Sequence, residues 1–167
     1  MSLVNQVRNA GVVGAGGGGF PAHVKLAAKA DTVIANGAEC EPLLHKDAAV
    51  MERHARELVE GILLCADTLG AEHAVIAIKE KKKAAVAAVA AACEGTRARV
   101  QLLGDYYPAG DEYDLVYNVT GRLIPPTGIP LQVGAVVQNV ETLVNIAAAA
   151  AGRPVTHKFI TIAGAVA

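Results

Sequence analysis

Residues 11–26 read GVVGAGGGGFPAHVKL, with six glycines followed by a Phe-Pro step and a short apolar pattern. Ordering glycine costs more backbone entropy than ordering any other residue, so such a run is either a flexible linker or a tight loop that needs what only glycine allows. The flanks decide between them. Linkers sit among Ser, Pro and charge, whereas this run lies between Val12-Val13 and Pro21-Ala22-His23-Val24-Lys25-Leu26. Proline suits the first turn of a helix, so the loop delivers the chain into a helix start. Unpaired backbone N–H groups and the dipole favour negative charge there, and a phosphate is the natural guest.

The pattern Gly14-x-Gly16-x-x-Gly19 matches the dinucleotide fingerprint, and Glu39 stands at a distance suited to a ribose. A true fingerprint follows a full strand and opens a helix directly. Here only Val12 and Val13 precede it after Gly11, and Phe20-Pro21 intervenes before the helix. The stretch therefore reads as a different phosphate-cradling loop.

Downstream, strands and helices alternate. Thr32–Ala35 is an apolar run of buried-strand type ending at Asn36-Gly37, and 37–47 is a polar loop carrying Glu39 and Glu41. Apolar positions Met51, Ala55, Leu58, Ile62, Cys65 and Leu69 predict one helix over 48–69, stopped by Gly70. Strands are expected at 74–78 and 99–103, with an Ala-rich helix over 82–93 between them. A helix over 110–120, a Pro/Gly-rich loop over 124–133, a long helix over 136–151 and a strand over 158–163 complete the expectation. This alternation predicts a Rossmann-like layered α/β domain.

The 167 residues amount to about one domain. The net charge of −1 offers no electrostatic case for nucleic acid or an anionic membrane. No run approaches the roughly 18 apolar residues of a membrane span, which points to a cytoplasmic protein without direct membrane insertion. Cys40, Cys65 and Cys93 form no C-x-x-C, and the five histidines no H-x-x-x-H, so no metal site is expected. The run Lys79-Glu80-Lys81-Lys82-Lys83 reads as a solvated turn rather than a phosphate patch.

Three further stretches carry chemistry. Ile34-Ala35-Asn36-Gly37-Ala38-Glu39-Cys40-Glu41 sets an amide and two carboxylates at a strand end, where ligands of α/β sheets sit. Tyr107-Pro-Ala-Gly110-Asp111-Glu112 adds an aromatic and acids, and Gln138-Asn139-Val140-Glu141-Thr142 adds a helix start rich in amides. Taken singly, each passes for a polar turn.

Together, GAGGGGFPAHVKL, NGAECEPLLHKD, YPAGDE and VVQNVETL resemble, in order and spacing, the flavin- and NADH-binding subunit of respiratory complex I. The likeness is closer still to the C subunit of the Rnf electron-transport complex and the cobalamin reductase of propanediol-utilisation microcompartments. It covers nearly the whole chain. The resemblance implies an NADH-oxidising domain that passes a hydride from NADH to FMN, with iron–sulfur clusters elsewhere in the parent protein. By motif, Gly14, Gly16, Gly17 and Gly19 would pack against flavin and nucleotide phosphates, and Lys25 would neutralise phosphate or bond the flavin. Asn36 and Glu39 would meet the isoalloxazine edge, and Phe20 the NADH adenine. Glu41, Asp111 and Glu112 would line the nucleotide site, and Asn139 and Thr142 would hold the flavin phosphate. Hydride transfer requires no side-chain acid or base, so no catalytic residue is expected.

Ala15 stands where complex I has an arginine, and Ala38 where it has an aspartate, both compatible with the Rnf and cobalamin-reductase branch. The resemblance also divides the chain, with an FMN/NADH domain over 1–157 and, over 158–167, the opening of a small β-grasp-type ligand-binding module. Its partners would be an iron–sulfur domain or electron-transfer subunits, reached at a membrane-bound complex or in a microcompartment. Two other readings remain open at this point, a flavin-free docking module and an ordinary NAD-binding enzyme domain.

Overall fold

A computed structural model of the chain describes residues 1–165. Ser2 accepts a hydrogen bond from the Asn5 N–H and caps α1, Leu3–Asn9, a helix absent from the patterns above. After the glycine run comes the short α2, Ala22–Leu26. Then follow β1 (Thr32–Gly37), α3 (Lys46–Arg53), α4 (Ala55–Leu69), β2 (His73–Lys79), α5 (Lys83–Cys93) and β3 (Ala98–Leu103). The last elements are α6 (Glu112–Thr120), a 3-10 turn at Pro130–Val133, β4 (Ala135–Asn139) and α7 (Val140–Ala150).

The strands form one parallel sheet in the order β3-β2-β1-β4. Both faces are covered, which is why β1 and β2 read as continuous apolar runs rather than alternating ones. Val33, Ala35, Ile76, Ile78 and Val136 pack on one face with α1 to α5 and α7. Ile34, Ala77, Leu103 and Val137 pack on the other with Leu115 and Val116 of α6. The expected layered α/β architecture is present, and its strand order is that of the first strands of a doubly wound sheet. The β1/β4 pair is the point where the connections reverse direction.

Three expectations are corrected. The helix predicted over 48–69 is two, because the backbone at His54 (φ −126°, ψ 33°) leaves the helical region between α3 and α4. The helix predicted over 136–151 begins only at 140, since Val136 to Asn139 pair with Val33 to Asn36 as strand β4. No strand forms over 158–163; that segment runs without regular structure across α7 and α3. Val166 and Ala167, which belong to the expected opening of a following module, lie outside the described residues.

Helices α4 and α7 meet at Gly61, where a Cβ would stand 2.1 Å from the Leu143 carbonyl oxygen. Only glycine admits that approach.

Candidate functional site

The strands β1 and β4 end side by side at Asn36 and Asn139. A cleft of about 790 Å³ opens above them, roofed by the glycine run and bordered by the loop after β1 and by Gly110 and Glu112. That volume lies within the usual range for small-molecule and cofactor sites. Parallel sheets take ligands at this place, outside the carboxyl ends of the strands where their order reverses.

The glycine run enters the cleft from before β1, not from the β1–α3 connection where the ordinary fingerprint belongs. Its neck is closed by an isolated bridge between Val13 and Pro21 and by Gly14 N–H donating to the Phe20 carbonyl at 2.8 Å. Gly17 and Gly19 take φ of 115° and 61°, a region unfavourable to residues with a Cβ. The tip is held from outside at one residue. Ala15 N–H donates to Thr142 Oγ1 at 2.9 Å, and its carbonyl accepts from Lys46 Nζ at 3.2 Å. Residues 15–18 form a turn, and the N–H groups of Gly16, Gly17, Gly18 and Gly19 make no hydrogen bond of ordinary geometry among the described residues.

Around this roof the polar side chains are largely committed. Lys25 Nζ donates to the Val137 carbonyl on the outer edge of β4 at 2.8 Å, lies 3.8 Å from Glu112, and sits 5.9 Å from the centre of the Phe20 ring. Asn36 donates to the Gly110 carbonyl and accepts from Ala38 N–H, which ties the β1 end to the 108–112 turn. Cys40 strengthens that tie, since its Sγ accepts from Gly110 N–H at 3.1 Å. Asn139 caps α7 by accepting from Glu141 N–H and donates to Asp47 Oδ2 at 2.8 Å. Three buried atoms in the lining make no hydrogen bond, Glu39 Oε2, Asp47 Oδ1 and Gln138 Nε2.

Beside the α7 start lies a buried ionic cluster. Glu141, fully buried, accepts from Lys46 Nζ (2.8 Å), Lys158 Nζ (3.2 Å) and Phe159 N–H (3.2 Å). Burial by itself would push the Glu141 carboxyl up, but these three donors outweigh it and hold it below its ordinary value. Lys46, which also lies 2.9 Å from Asp47 Oδ1, is likewise held protonated: its carboxylate partners prevail over the cost of burial and raise its pKa.

Of the residues expected at the site, Gly14, Gly16, Gly17, Gly19, Phe20, Lys25, Asn36, Glu39, Glu41, Glu112 and Asn139 border the cleft. Thr142 is fully buried and reaches the cleft only through Ala15. Asp111 turns back to cap α6, accepting from the N–H groups of Tyr113 and Asp114. Sequence reasoning assigns no role to Gln138, Lys46 or Glu141. The motifs contain all three, but burial and pairing across the fold are what single them out.

Residues 7–148 match the family model described as the Nuo51 FMN-binding domain. The chain belongs to this family. Relatives of the Nuo51 FMN-binding domain include cobalamin reductase PduS of Citrobacter freundii, 46% identical over 99% of this chain and 37% of that protein. The C subunit of the proton-translocating ferredoxin:NAD(+) oxidoreductase complex of Clostridium ljungdahlii is 42% identical over 97% of this chain and 36% of that protein. This Nuo51-family chain thus spans little more than a third of the length of those curated relatives. Among solved structures, a chain of the NAD+-reducing [NiFe]-hydrogenase in the H2-reduced state superposes with a TM-score of 0.71 at 28% identity, covering 89% of this chain and 30% of that one. The resemblance expected from the four motifs is therefore borne out in family and in fold. No helix among the described residues is long and apolar enough to cross a membrane.

Proposed function

We propose that this chain is the NADH-oxidising flavin domain of an Rnf-type or cobalamin-reductase-type electron-transfer system, with FMN and NADH sharing the cleft at the β1/β4 ends. The observation that carries this reading is the roof itself: four consecutive glycines, Gly16 to Gly19, line a cleft of cofactor size, and none of their N–H groups makes a hydrogen bond of ordinary geometry among the described residues. Such amides, with Lys25 beside them, suit phosphate oxygens. The donor Gln138 Nε2 and the acceptor Glu39 Oε2, both buried and unpaired, are chemically suited to a heteroaromatic ring edge that both accepts and donates.

When bound, FMN supplies the redox chemistry, a ring that takes up hydride from NADH and releases electrons singly. The chain's own residues bind and orient. Gly14, Gly16, Gly17 and Gly19 let the backbone approach flavin and nucleotide closely, and Phe20 offers an aromatic face to adenine. Asn36, through its bond to Gly110, fixes the floor of the cleft, while Glu39 and Glu41 face the ring and nucleotide edges. Glu112 borders the nucleotide side directly and Asp111 fixes its helix. Asn139 and Thr142 serve the phosphate end, Thr142 by holding Ala15. No side chain is assigned a proton-transfer role. Residues 1–157 form this unit in our reading, and 158–167 lead into a β-grasp-type module. Electrons pass to iron–sulfur partners outside this chain, on the cytoplasmic side of a complex or within a microcompartment.

An FMN titration of the purified chain, followed by absorbance and fluorescence and completed by anaerobic NADH, tests the reading. Saturable one-to-one binding and bleaching by NADH are expected. Failure to bind FMN overturns it in favour of a docking module, and nucleotide binding without flavin favours an ordinary NAD domain.

A further inference from the structure

The segment after α7 returns across the helical face of the sheet instead of leaving the domain. Val155 N–H donates to the Ala10 carbonyl, the Phe159 ring meets His54 edge-on at 5.3 Å, and Thr161 Oγ1 accepts from His45 N–H. Its strongest anchorage is Glu141, which takes one hydrogen bond from the Lys158 side chain and one from the Phe159 backbone. The same carboxylate holds Lys46, and Lys46 holds the Ala15 carbonyl.

We infer that Glu141 and Lys46 are positioning residues that relay the placement of residues 158–161 to the tip of the glycine run. The partners of Lys46 support the relay. An ammonium has three N–H bonds, and two of those of Lys46 go to Ala15 O and Glu141 Oε2, while Asp47 Oδ1 lies 2.9 Å from its Nζ as an ion-pair partner. A fully buried carboxylate cannot trade a lost partner for water, so loosening Lys158 and Phe159 changes where Glu141 settles, and Lys46 with it. Thr142, the other anchor of Ala15, follows Glu141 directly on α7, so both clamps on the loop tip move with the same turn of helix. Gly16 rests on that turn too, its Cβ position 3.4 Å from Asn139 Cβ. The run has no other tie at its tip among the described residues, so its geometry depends on this chain of contacts. The consequence for flavin affinity rests on the reading that this loop holds FMN; the mechanical coupling does not.

The side chain of Lys158 is half exposed, so replacing it spares the core. In Lys158→Ala, amide exchange followed by NMR on the flavin-free chain is expected to quicken about fivefold at Ala15, the size of effect a lost pair of this kind gives. Ile34 and Ile76 in the sheet should keep their rates, and Lys158→Arg should restore Ala15. Unchanged exchange at Ala15, or equal acceleration at Ile34 and Ile76, would overturn the relay. FMN titration of the same variants reports separately: weaker binding in Lys158→Ala with recovery in Lys158→Arg carries the relay to the ligand. No FMN binding by any form defeats the flavin reading, while the exchange data still judge the coupling.

Discussion

Lys46 carries more of the site than any residue the motifs single out. It is nearly buried, and it is the nearest cation to a carboxylate with no solvent contact. Removing Lys46 leaves the buried carboxylate with only the longer contacts from Lys158 and the Phe159 N–H, so Lys46→Met should lower stability by about 2 kcal/mol, measurable by urea unfolding. The acid behaviour of Glu141 follows from the direction of its shift. Its folded-state pKa lies below the ordinary value of 4.5, so its contribution is complete above that pH and is lost as pH falls through the folded value. The urea midpoint of the native chain should therefore decline below about pH 4.5, and Glu141→Gln should flatten that decline while starting from a lower midpoint. A midpoint in Glu141→Gln that falls as steeply as in the native chain would assign the acid sensitivity to other carboxylates.

Helices α4 and α7 are packed so tightly at Gly61 that a single methyl meets the Leu143 backbone, and backbone cannot rotate away as a side chain can. Gly61→Ala should cost about 3 kcal/mol, with a fall in thermal midpoint and no change in helix content by circular dichroism after refolding. At this scale the sequence was readable wherever local pattern and tertiary role agree. Strands β1, β2 and β3 and helix α5 stand within a residue or two of their apolar runs, because each is bounded by glycine or by charge. Strand β4 was not readable: Val136, Val140, Leu143, Val144 and Ala147 continue at helical spacing through it. What makes Val136–Asn139 a strand is its partner β1, about a hundred residues earlier in the chain. The break at His54 was hidden for the same reason, since the apolar spacing runs through it unaltered from Met51 to Leu58. In the site, the glycine loop and the acids were legible as residue types at characteristic spacing. The Glu141–Lys46 cluster was not, because a buried ion pair joining positions 95 apart leaves no periodic trace.

For the molecule as a whole, a ligand that binds only the folded form adds stability in proportion to the logarithm of its excess. A hundredfold excess of FMN over its Kd gives about 2.7 kcal/mol. In a chain of this size that corresponds to a rise in thermal midpoint of roughly 5–10 °C, growing with FMN concentration. A midpoint indifferent to FMN would mean that the folded form does not hold it. The parallel sheet also sets a schedule. The glycine run lies at the start of the chain, yet the hydroxyl that clamps Ala15 belongs to Thr142, 127 residues later, and the floor beneath it is the last strand to be made. A ribosome must therefore release nearly the entire domain before the first loop it synthesised can take shape, and cofactor loading becomes an event that follows translation rather than one that guides it.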